Sequence, residues 1–504
     1  MTVRDRLDLI RSKDLTLGTL IERLAVIHGP KRLAQESGDG LVLTYDEAAE
    51  WVSRLSAGIA ERVGPGDRVV VATPNGYALF LTSVAVARAG AIAVPVNPKM
   101  RDEEIDHVIN DSEAALVIHD PKEVEGAQPA EAAPVDPQDT AVLFYTSGTT
   151  GKPKGAELTH RALVGAAGGN AAALPLEWLR QECVTGMPVA HVAGFTVLIQ
   201  MAALGVPVYL ITKFRPDEAI DAIESRKATM FIGVPAMYRM MMEAGAEQHD
   251  LSSVRMWSSG ADVMPADLAR AFQRMGAAIT IPFVHRAVGV AAFIDGYGMV
   301  ELGGGVAVRL FPPGVTLPGG GLVRPIRGHR LKVVDDHGTA VERGEVGELV
   351  VKGPGVMKGY HGKDDATRDA LTPDGWLRTG DLAKERRFGF IEFAGRKKDV
   401  IKHGGYSVFA VEVEAVLNQH PAVAESAVLG LPDERKGEIP VAAVRVEGGQ
   451  TLDADQVIAF ARERLSDYKV PQRVVVVEDF PRTGTDKVKK PELRVLFEPA
   501  GSAQ

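Results

Sequence analysis

Cysteine is almost absent from this sequence of 504 residues, in which Cys183 is the single example. One cysteine excludes an intrachain disulfide and a cysteine-rich zinc site. It also fits a reducing compartment. The N-terminal segment Met1–Lys13 lacks the apolar core of a secretory signal, because charged residues are spread along it. We therefore expect a cytoplasmic protein without structural disulfides.

An excess of positive charge is also missing. Lysine and arginine total 57 and aspartate and glutamate total 66, which gives a net charge of -9. This mild excess of negative charge argues against nucleic-acid binding as the main function of the protein. Apolar residues make up 45% and charged residues 24%, close to globular averages. The composition thus predicts a globular chain, with a length that suits about three structural units.

No apolar run favours a membrane-spanning helix. Residues 192–211 carry no charge, but glycine, threonine, glutamine and proline interrupt them. The pattern predicts a buried helix at Phe195–Leu204, a stop at Gly205 and a short strand at Val208–Ile211.

Short apolar runs alternate with helical patterns over the first two-thirds of the chain. Strands are expected at Asp67–Thr73, Ala91–Val96, Ala114–His119 and Ala141–Tyr145. Continuous apolar strands of this kind suit a sheet covered by helices on both faces. After about residue 310, glycines, prolines and alternating strands predict a small β-rich subdomain.

The last hundred residues predict a separate α+β unit. Its elements are expected at Ala410–Gln419 (helix), Glu425–Gly430 and Pro440–Val446 (strands), and from Asp453 onwards (helix). The carboxylate of Asp453 is placed to cap that last helix, with Gln456 reaching back.

The most informative segment directly follows the strand at Ala141–Tyr145. Tyr145–Gly155 reads YTSGTTGKPKG, with three glycines, four hydroxyl side chains and two lysines. Glycines let backbone N–H groups approach phosphate oxygens, and hydroxyl and ammonium groups add donors and positive charge. The segment departs from the pattern G-x-x-x-x-G-K-[ST] because Pro153 follows Lys152. It predicts a phosphate-binding loop.

Further short motifs follow the loop along the chain. They are MPVAHVAG (187–194), GVPAMY (233–238), SGAD (259–262), YGMVE (297–301), GWLRTGD (375–381), GRKKD (395–399) and PRTGTDK (481–487). In this order, and together with the loop, they resemble the AMP-forming acyl-adenylate superfamily, which contains acyl-CoA synthetases, adenylation domains and luciferases. The resemblance covers nearly the whole chain.

The resemblance implies an α/β fold in two domains. Residues 1–395 would form a large N-terminal adenylate-forming domain of two packed α/β sheets with a small β-barrel-like subdomain. Residues 396–504 would form a small, mobile α+β lid, with a hinge near Lys398. Pivoting there would present the lid in two orientations, one for each half-reaction.

ATP, Mg²⁺ and coenzyme A are the cofactors and substrates that the resemblance implies. Lys487 would bridge the substrate carboxylate and the α-phosphate, and Glu301 and Thr146 would hold Mg²⁺. The nucleotide would be bound by Thr146, Ser147, Gly148, Thr149, Thr150, Gly151, Lys154, Gly260, Ala261, Tyr297, Gly298, Asp381 and Arg396. Within this set, Tyr297 would stack on adenine, and Asp381 would accept hydrogen bonds from the ribose.

The acid and the thiol have their own implied sites. The acyl pocket would be lined by His191, Gly194, Phe195, Gly233, Val234, Gly303 and Gly304. Two roles are open for His191: it contacts or gates the substrate, or it is a core histidine whose hydrogen bonds are made within the protein. Gly303 and Gly304 are open between a channel for a long acyl chain and a bend. Gly404 and Gly405 would leave room for the pantetheine arm of CoA, or form a tight turn.

Three features depart from the family pattern. Val300 replaces a threonine whose hydroxyl is expected to bond a phosphate oxygen, and Asp486 stands before Lys487 where glycine is usual. The link at 277–295 is also longer than in the family. The first two departures predict a lower rate rather than a different fold.

Three functions remain open from the sequence. The first is an ATP-dependent acyl-CoA synthetase for a fatty or other hydrophobic carboxylic acid, active in lipid metabolism, for which a homodimer is one option. The second is an aromatic-acid CoA ligase, or a ligase that loads a carrier protein. The third is a nucleotide- or acyl-binding protein with impaired catalysis, a hypothesis motivated by Val300 and Asp486.

Overall fold

The computed structural model divides the chain into two compact units. The residues that the structure describes are 13–97, 100–146, 153–171, 181–281, 286–311, 323–446, 450–482 and 488–497. The first unit comprises residues 1–330 and 352–377, and the second comprises residues 331–351 and 378–504. The hinge near Lys398 and the domain division at 395/396 stay predictions.

The first unit is built on two sheets. Its strands are β1 (Arg32–Glu36), β2 (Val42–Thr44), β3 (Arg68–Val71), β4 (Ile92–Pro95), β5 (Leu116–Ile118), β6 (Thr140–Tyr145), β7 (Gly155–Thr159), β8 (Cys183–Thr185), β9 (Val208–Leu210), β10 (Met230–Gly233), β11 (Met256–Gly260), β12 (Ile279–Ile281), β13 (Arg286–Val288), β14 (Ala292–Met299), β15 (Gly304–Leu310) and β16 (Val323–Pro325). One sheet follows the order β16-β15-β14-β11-β10-β8-β9-β1-β2, and a five-stranded sheet follows β5-β3-β4-β6-β7.

Helices cover these sheets, as the continuous apolar strands predicted. They are α1 (Leu17–His28), α2 (Tyr45–Ala60), α3 (Tyr77–Arg88), α4 (Asp102–Asp111), α5 (His160–Ala171), α6 (Val192–Leu204), α7 (Pro216–Arg226), α8 (Pro235–Glu243), α9 (Ala266–Met275) and α10 (Asp364–Ala370). The central strands β1, β9, β8, β10, β11 and β14 pair in parallel.

Aromatic side chains join the two layers of the first unit. Phe195 of α6 is fully buried, and its ring centroid lies 5.0 Å from that of Phe80 on α3 and 5.4 Å from that of Phe144 on β6. Both contacts are edge-to-face, the geometry that aromatic pairs prefer. Helix α6 therefore packs against β6 of the five-stranded sheet through Phe195, and Thr196 of the same helix lies beside Gly304 of β15 in the other sheet.

The second unit contains a meander and an α+β part. Its elements are β17 (Arg330–Val334), β18 (Val346–Lys352), β19 (Leu377–Glu385), β20 (Ile391–Arg396), β21 (Val400–His403), β22 (Tyr406–Phe409), β23 (Val423–Asp433), β24 (Gly437–Val446), β25 (Arg473–Val477), α11 (Ala410–Leu417) and α12 (Ala454–Arg462). Strands β17 to β20 neighbour each other in chain order, and β24 pairs with β21, β23 and β25.

The predicted elements are confirmed, with boundaries that shift by a few residues. Gly205 ends α6 in the left-handed region at φ 69°, as its position after the apolar run predicted. Asp453 and Gln456 form the expected capping box of α12. No described helix is long and apolar enough to cross a membrane. The long link at 277–295 contains the antiparallel pair β12 and β13.

One buried histidine ties α1 to the strand that follows the glycine-rich loop. His160 begins α5 directly after β7 and is 2% exposed, and its Nδ1 accepts a hydrogen bond from the backbone N–H of Leu17 at 3.2 Å. Burial lowers the pKa of His160 to about 4. The imidazole is therefore neutral in the folded protein at neutral pH.

The low pKa of His160 predicts a loss of stability in mild acid. An unfolded histidine titrates near pH 6.5, so between about pH 6.5 and 4 the unfolded chain binds the extra proton. The free energy of unfolding should fall across this window by on the order of 3 kcal/mol from this group. Urea unfolding at a series of pH values measures it.

One variant separates His160 from the other titrating groups. His160→Gln should flatten the pH dependence of the free energy of unfolding between about pH 6.5 and 4. Equal slopes in the parent and in His160→Gln would contradict the assignment.

Candidate active site

The ends of the glycine-rich loop are held by a β hairpin. Strands β6 and β7 are antiparallel with Tyr145 opposite Gly155, and the backbone N–H of Thr146 donates to the carbonyl of Lys154 at 2.9 Å. The loop therefore leaves and re-enters the five-stranded sheet at neighbouring positions. Ser147, Gly148, Thr149, Thr150 and Gly151 lie outside the described residues, so their phosphate-binding role stays a prediction.

Glu301 lies in a short 3-10 turn between β14 and β15. The residue is 8% exposed, and its carbonyl accepts the backbone N–H of Met357 at 2.9 Å. Its Oε1 accepts a hydrogen bond from the hydroxyl of Tyr360 at 2.7 Å. A carboxylate that is buried and held at one oxygen is oriented by the protein rather than by solvent.

The segment that carries Tyr360 runs beside the strand after the glycine-rich loop. Two backbone hydrogen bonds of 2.9 Å join the segments: the N–H of Glu157 donates to the carbonyl of Gly359, and the N–H of Lys358 donates to the carbonyl of Glu157. Ala156 and Tyr360 form an antiparallel β-bridge beside them. The ammonium of Lys154 lies 4.9 Å from the centroid of the Tyr360 ring. These contacts bring Lys154 and Glu301 to the same aromatic side chain.

Tyr360 is a site residue that the sequence reasoning missed. It stands 59 residues after Glu301 in a glycine-containing stretch, and no local periodicity or spacing marks it. Burial and the carboxylate of Glu301 raise the pKa of Tyr360. Its hydroxyl therefore keeps its proton at neutral pH and acts as a donor to that carboxylate.

The predicted metal ligands are oxygen donors. Magnesium prefers carboxylate and hydroxyl oxygens, takes few ligands from the protein and completes its shell with phosphate and water. Among the described residues, no group of three or more His, Cys, Asp or Glu is placed to hold a metal ion. One buried carboxylate at Glu301 thus fits an ion that arrives with the nucleotide phosphates, and the role of Thr146 stays a prediction.

The predicted adenine-binding residues lie on two adjacent parallel strands. Gly260 ends β11 and pairs with Gly296 of β14, directly before the partly buried Tyr297. Ala261, the next residue, adopts φ 67°, a left-handed conformation that a residue with a side chain rarely takes. Such backbone strain is typical of functional sites, and it accords with the predicted role at the base edge.

Glycines pack backbone against backbone on the strands around Glu301. A Cβ added at Gly298 would overlap the carbonyl of Gly304 on β15. Gly303 and Gly304 have φ values of 65° and 116°, and an added Cβ would meet the carbonyl oxygen of Gly355 at 2.9 Å and the Oγ1 of Thr196 at 3.1 Å, respectively. Gly303 and Gly304 therefore form a tight turn, and the space where their side chains would lie is occupied by Gly355 and Thr196.

An apolar cluster lies next to the strained Ala261. Its members are Met187, Val234, Ala236 and Met237, with Ala193, Phe214 and Ala261 packed against them. The cluster contains no charged side chain. It brings the predicted pocket residue Val234 to the same place as the predicted base-edge residue Ala261, as an acyl pocket adjoining a nucleotide site requires.

The other predicted pocket residues have different surroundings. Phe195 is fully buried in the aromatic core, and a Cβ at Gly194 would overlap the carbonyl of Pro188. A Cβ at Gly233 would lie 2.9 Å from Cε1 of Phe231. His191 is half-buried at the N-cap of α6, where its Nδ1 accepts the N–H of Ala193 at 3.2 Å. The position of His191 leaves its substrate role a prediction.

In the second unit, two predicted ribose-binding residues are cross-strand partners. Asp381 of β19 lies opposite Arg396 of β20, and Oδ1 of Asp381 is 3.1 Å from Nε of Arg396. The Asp381 side chain is 12% exposed and that of Arg396 is 44% exposed. A cavity of about 390 Å³ lies beside them, lined by Thr379, Gly380, Arg396, Lys397 and Lys398. Of the pair, Arg396 borders the cavity, and the ribose-binding role of both residues stays a prediction.

Lys398 lies in one turn of the second unit, and the glycine pair Gly404 and Gly405 forms another. Lys398 lies in the 3-10 turn Lys397–Asp399, directly after β20. Gly404 and Gly405, with φ values of 58° and 86°, form the two-residue turn between β21 and β22, where His403 pairs with Tyr406. Added Cβ atoms there would meet nothing within 4 Å. Lys487 lies outside the described residues, and its catalytic role stays a prediction.

Two family models and several characterised proteins are similar to this chain. The family model of the AMP-binding enzyme matches residues 22–361, and that of the AMP-binding enzyme C-terminal domain matches residues 412–487. A feruloyl-CoA synthase from Amycolatopsis is 35% identical over 484 residues, covering 91% of this chain and 94% of the relative. An indoleacetate–CoA ligase from Aromatoleum aromaticum is 32% identical, covering 90% and 93%.

The fold is shared with solved structures. ATP-bound MatB from Rhodopseudomonas palustris superimposes with a TM-score of 0.84 at 26% identity, covering 96% of this chain and 99% of that protein. The expected α/β architecture, with a large N-terminal and a small C-terminal part, is thereby confirmed. The chain belongs to the AMP-binding enzyme family, the AMP-forming acyl-adenylate superfamily that its motifs resemble, as an enzyme of the acid–CoA ligase class.

Proposed function

We propose that this enzyme joins a compact hydrophobic carboxylic acid, an aromatic acid in particular, to coenzyme A. The observation that carries the proposal is the filled space around the turn after Glu301. Of the two roles left open for Gly303 and Gly304, a channel for a long acyl chain would favour fatty acids, and it requires open space at these glycines. That space is occupied by the carbonyl oxygen of Gly355 and the side chain of Thr196.

The position of Thr196 connects this closure to the apolar cluster. Thr196 is 6% exposed, and its hydroxyl donates to the carbonyl of Val192 at 2.8 Å, which fixes its rotamer. It lies one helical turn after Ala193, a member of the cluster, and residues three apart share a helix face. The pocket is thus bounded on that face, which favours a flat, short acid over an extended chain.

The side chains of the cluster restrict the substrate further. All seven are apolar, so they suit a substrate body without charge, whereas a carboxylate buried among them would cost several kcal/mol or more. A monocarboxylate with an apolar body therefore suits the site. The names of the two relatives, which act on ferulate and indoleacetate, are in line with an aromatic body.

The proposed chemistry has two steps. A carboxylate oxygen of the acid attacks the α-phosphorus of ATP, the bond to the β-phosphate oxygen breaks, and acyl-AMP and pyrophosphate form. The thiol of CoA then attacks the acyl carbon, and AMP leaves as the thioester forms and the thiol proton is released. Negative charge develops on phosphate oxygens in the first step, where fixed donors and cations are most effective.

Named residues would serve these steps. Lys487, by resemblance, would neutralise the facing carboxylate and α-phosphate. Glu301 would hold Mg²⁺, whose chemistry when bound is to withdraw charge from the phosphate oxygens. Tyr297 and the backbone at Ala261 would hold adenine, and Asp381 would accept the ribose hydroxyls. Positioning of the reacting groups by such contacts accounts for much of the rate enhancement of phosphoryl-group chemistry.

A panel of acids tests the proposal. Pyrophosphate release and hydroxylamine trapping of the acyl adenylate would be measured with ferulic, cinnamic, benzoic, indoleacetic, octanoic, hexadecanoic and succinic acids, and thioester formation would be followed with CoA. We expect aromatic acids to exceed hexadecanoic and succinic acids by at least about tenfold in kcat/KM, the range that pocket shape commonly gives.

Lys487→Ala serves as the catalytic control of the panel and should release almost no pyrophosphate. A higher kcat/KM with hexadecanoic acid than with any aromatic acid would overturn the choice of substrate. Nucleotide binding without acyl adenylate from any acid would instead support the catalytically impaired alternative that Val300 and Asp486 motivate.

A further inference from the structure

Tyr360 contacts two charged groups of the candidate site, Glu301 and Lys154. Its hydroxyl donates to Oε1 of Glu301 at 2.7 Å, and its ring lies 4.9 Å from the ammonium of Lys154. Neither contact depends on the other, because one uses the edge of the side chain and the other its face. One rigid side chain therefore meets both an anion and a cation of the candidate site.

The backbone of Tyr360 is fixed from two sides. Its N–H donates to Oγ1 of Thr367 at 2.9 Å, and its bridge to Ala156 ties it to the strand that follows the glycine-rich loop. A side chain on so restrained a backbone has little freedom to leave Glu301. The hydrogen bond to the carboxylate is thus pre-formed, and no rearrangement is needed to make it when the nucleotide binds.

The hydrogen bond assigns different work to the two oxygens of Glu301. Oε1 is occupied by the hydroxyl of Tyr360, so Oε2 is the oxygen oriented for a cation. An outer partner that orients a metal-binding carboxylate changes metal affinity by about 10- to 100-fold. The ring of Tyr360 also makes a cation–π contact with the ammonium of Lys154, which restrains that side chain.

We propose that Tyr360 is a positioning residue that orients the Glu301 carboxylate toward the divalent cation carried by ATP and holds Lys154 over the face of its ring. This inference rests on the proposed function, because that function supplies the ATP and the divalent cation that the site would bind. It adds a residue that none of the sequence motifs contains. It also assigns the metal-binding strength of the site to a tyrosine hydroxyl that does not itself touch the metal.

Metal affinity measures this role without requiring turnover. The probe is Mn²⁺ with α,β-methylene-ATP, in which a methylene group replaces the oxygen that leaves with pyrophosphate, so that the acid cannot be adenylated. Free Mn²⁺ would be counted by electron paramagnetic resonance during titration of the full-length protein. Tyr360→Phe should weaken Mn²⁺ binding by about 10- to 100-fold, because the ring and its contact with Lys154 remain while the oriented hydrogen bond is lost.

A matched tyrosine provides the structural control. Tyr45→Phe also deletes a buried hydroxyl, which donates to the carbonyl of Ala202 at 2.8 Å, and it lies in α2, outside the candidate site. Tyr45→Phe should leave Mn²⁺ binding within about twofold of the parent, even where it lowers the melting temperature. Weakening that follows melting temperature in both variants would overturn the proposal.

A double-mutant cycle shows whether Tyr360 acts through Glu301. In the background Glu301→Gln, the substitution Tyr360→Phe should cause no further loss of Mn²⁺ affinity, because the group that it orients is already changed. Equal losses in both backgrounds, or no loss in the parent, would refute the positioning role. If the acid panel fails, the proposed function falls, while the titration with Mn²⁺ still tests Tyr360.

Discussion

Glu301→Gln is expected to lower kcat/KM for acyl-adenylate formation by on the order of 100-fold or more, since it removes the one charged ligand proposed for the nucleotide-bound cation. Glutamine keeps the size and one acceptor oxygen of the side chain, so Tyr360 retains a partner. It loses the negative charge that attracts a hard divalent cation. The loss should therefore fall on catalysis and not on folding.

The kinetic pattern should identify the cation as the affected ligand. Pyrophosphate release measured over a range of free Mg²⁺ should show a higher half-saturating Mg²⁺ concentration, and the KM for the acid should change little. Stability should stay the same or rise slightly, because an 8% exposed charge has been replaced by a neutral amide. Urea unfolding of both proteins measures that part.

A neighbouring carboxylate gives the control for Glu301. Glu157 on β7 is 25% exposed at its side chain, and its Oε1 lies 2.9 Å from Nδ1 of His361, one residue after Tyr360. Glu157→Gln therefore removes a charge from the same region without changing a proposed ligand, and kcat/KM should stay within about fivefold of the parent. Turnover by Glu301→Gln within about fivefold of the parent, the factor that corresponds to about 1 kcal/mol, would exclude Glu301 as the metal ligand.

The sequence predicted elements where a local cause is sufficient. Helix α6 ends at Gly205 because a left-handed residue stops it, and α12 begins at Asp453 because a carboxylate caps it. The strand before the glycine-rich loop follows from its apolar run. In each case the deciding contact lies within a few residues, so that a short window of sequence contains the information.

Contacts between distant segments could not be predicted in the same way. Tyr360 reaches Glu301 because the segment after β18 runs beside β7, a pairing that no property of either segment alone specifies. The turn at Gly303 and Gly304 was left open between a channel and a bend, and the answer depended on Gly355 and Thr196 from other parts of the chain. Glycine marks close approach or a turn, but it does not say which neighbour fills the space.

Gly298→Ala should have the largest effect on folding among substitutions in the candidate site. The added methyl would overlap the carbonyl of Gly304, which belongs to the backbone of β15 and cannot rotate away as a side chain can. Inserting a methyl group into such a contact costs about 1–3 kcal/mol of folding free energy. Urea unfolding should therefore show a lower free energy for this variant.

The same substitution should also impair adenylation in the molecules that remain folded. Gly298 lies between Tyr297 and Glu301, where β14 already shifts register against β15. Pushing these strands apart moves the residue proposed to stack on adenine relative to the one proposed to hold the cation. Displacements of about 1 Å can cost about 100-fold in rate. We expect a lower kcat and a weaker affinity for ATP together.

Gly296→Ala separates these effects from the mere loss of a glycine. Gly296 lies two residues earlier on the same strand, and an added Cβ would be 3.6 Å from the carbonyl oxygen of Ser259, an ordinary contact distance. This variant should unfold within about 1 kcal/mol of the parent, because replacing a strand glycine by alanine also reduces the entropy of the unfolded chain. If Gly296→Ala and Gly298→Ala destabilise equally, close packing of β14 on β15 does not hold Tyr297 and Glu301 in register, and the geometry of the candidate site must depend on other contacts.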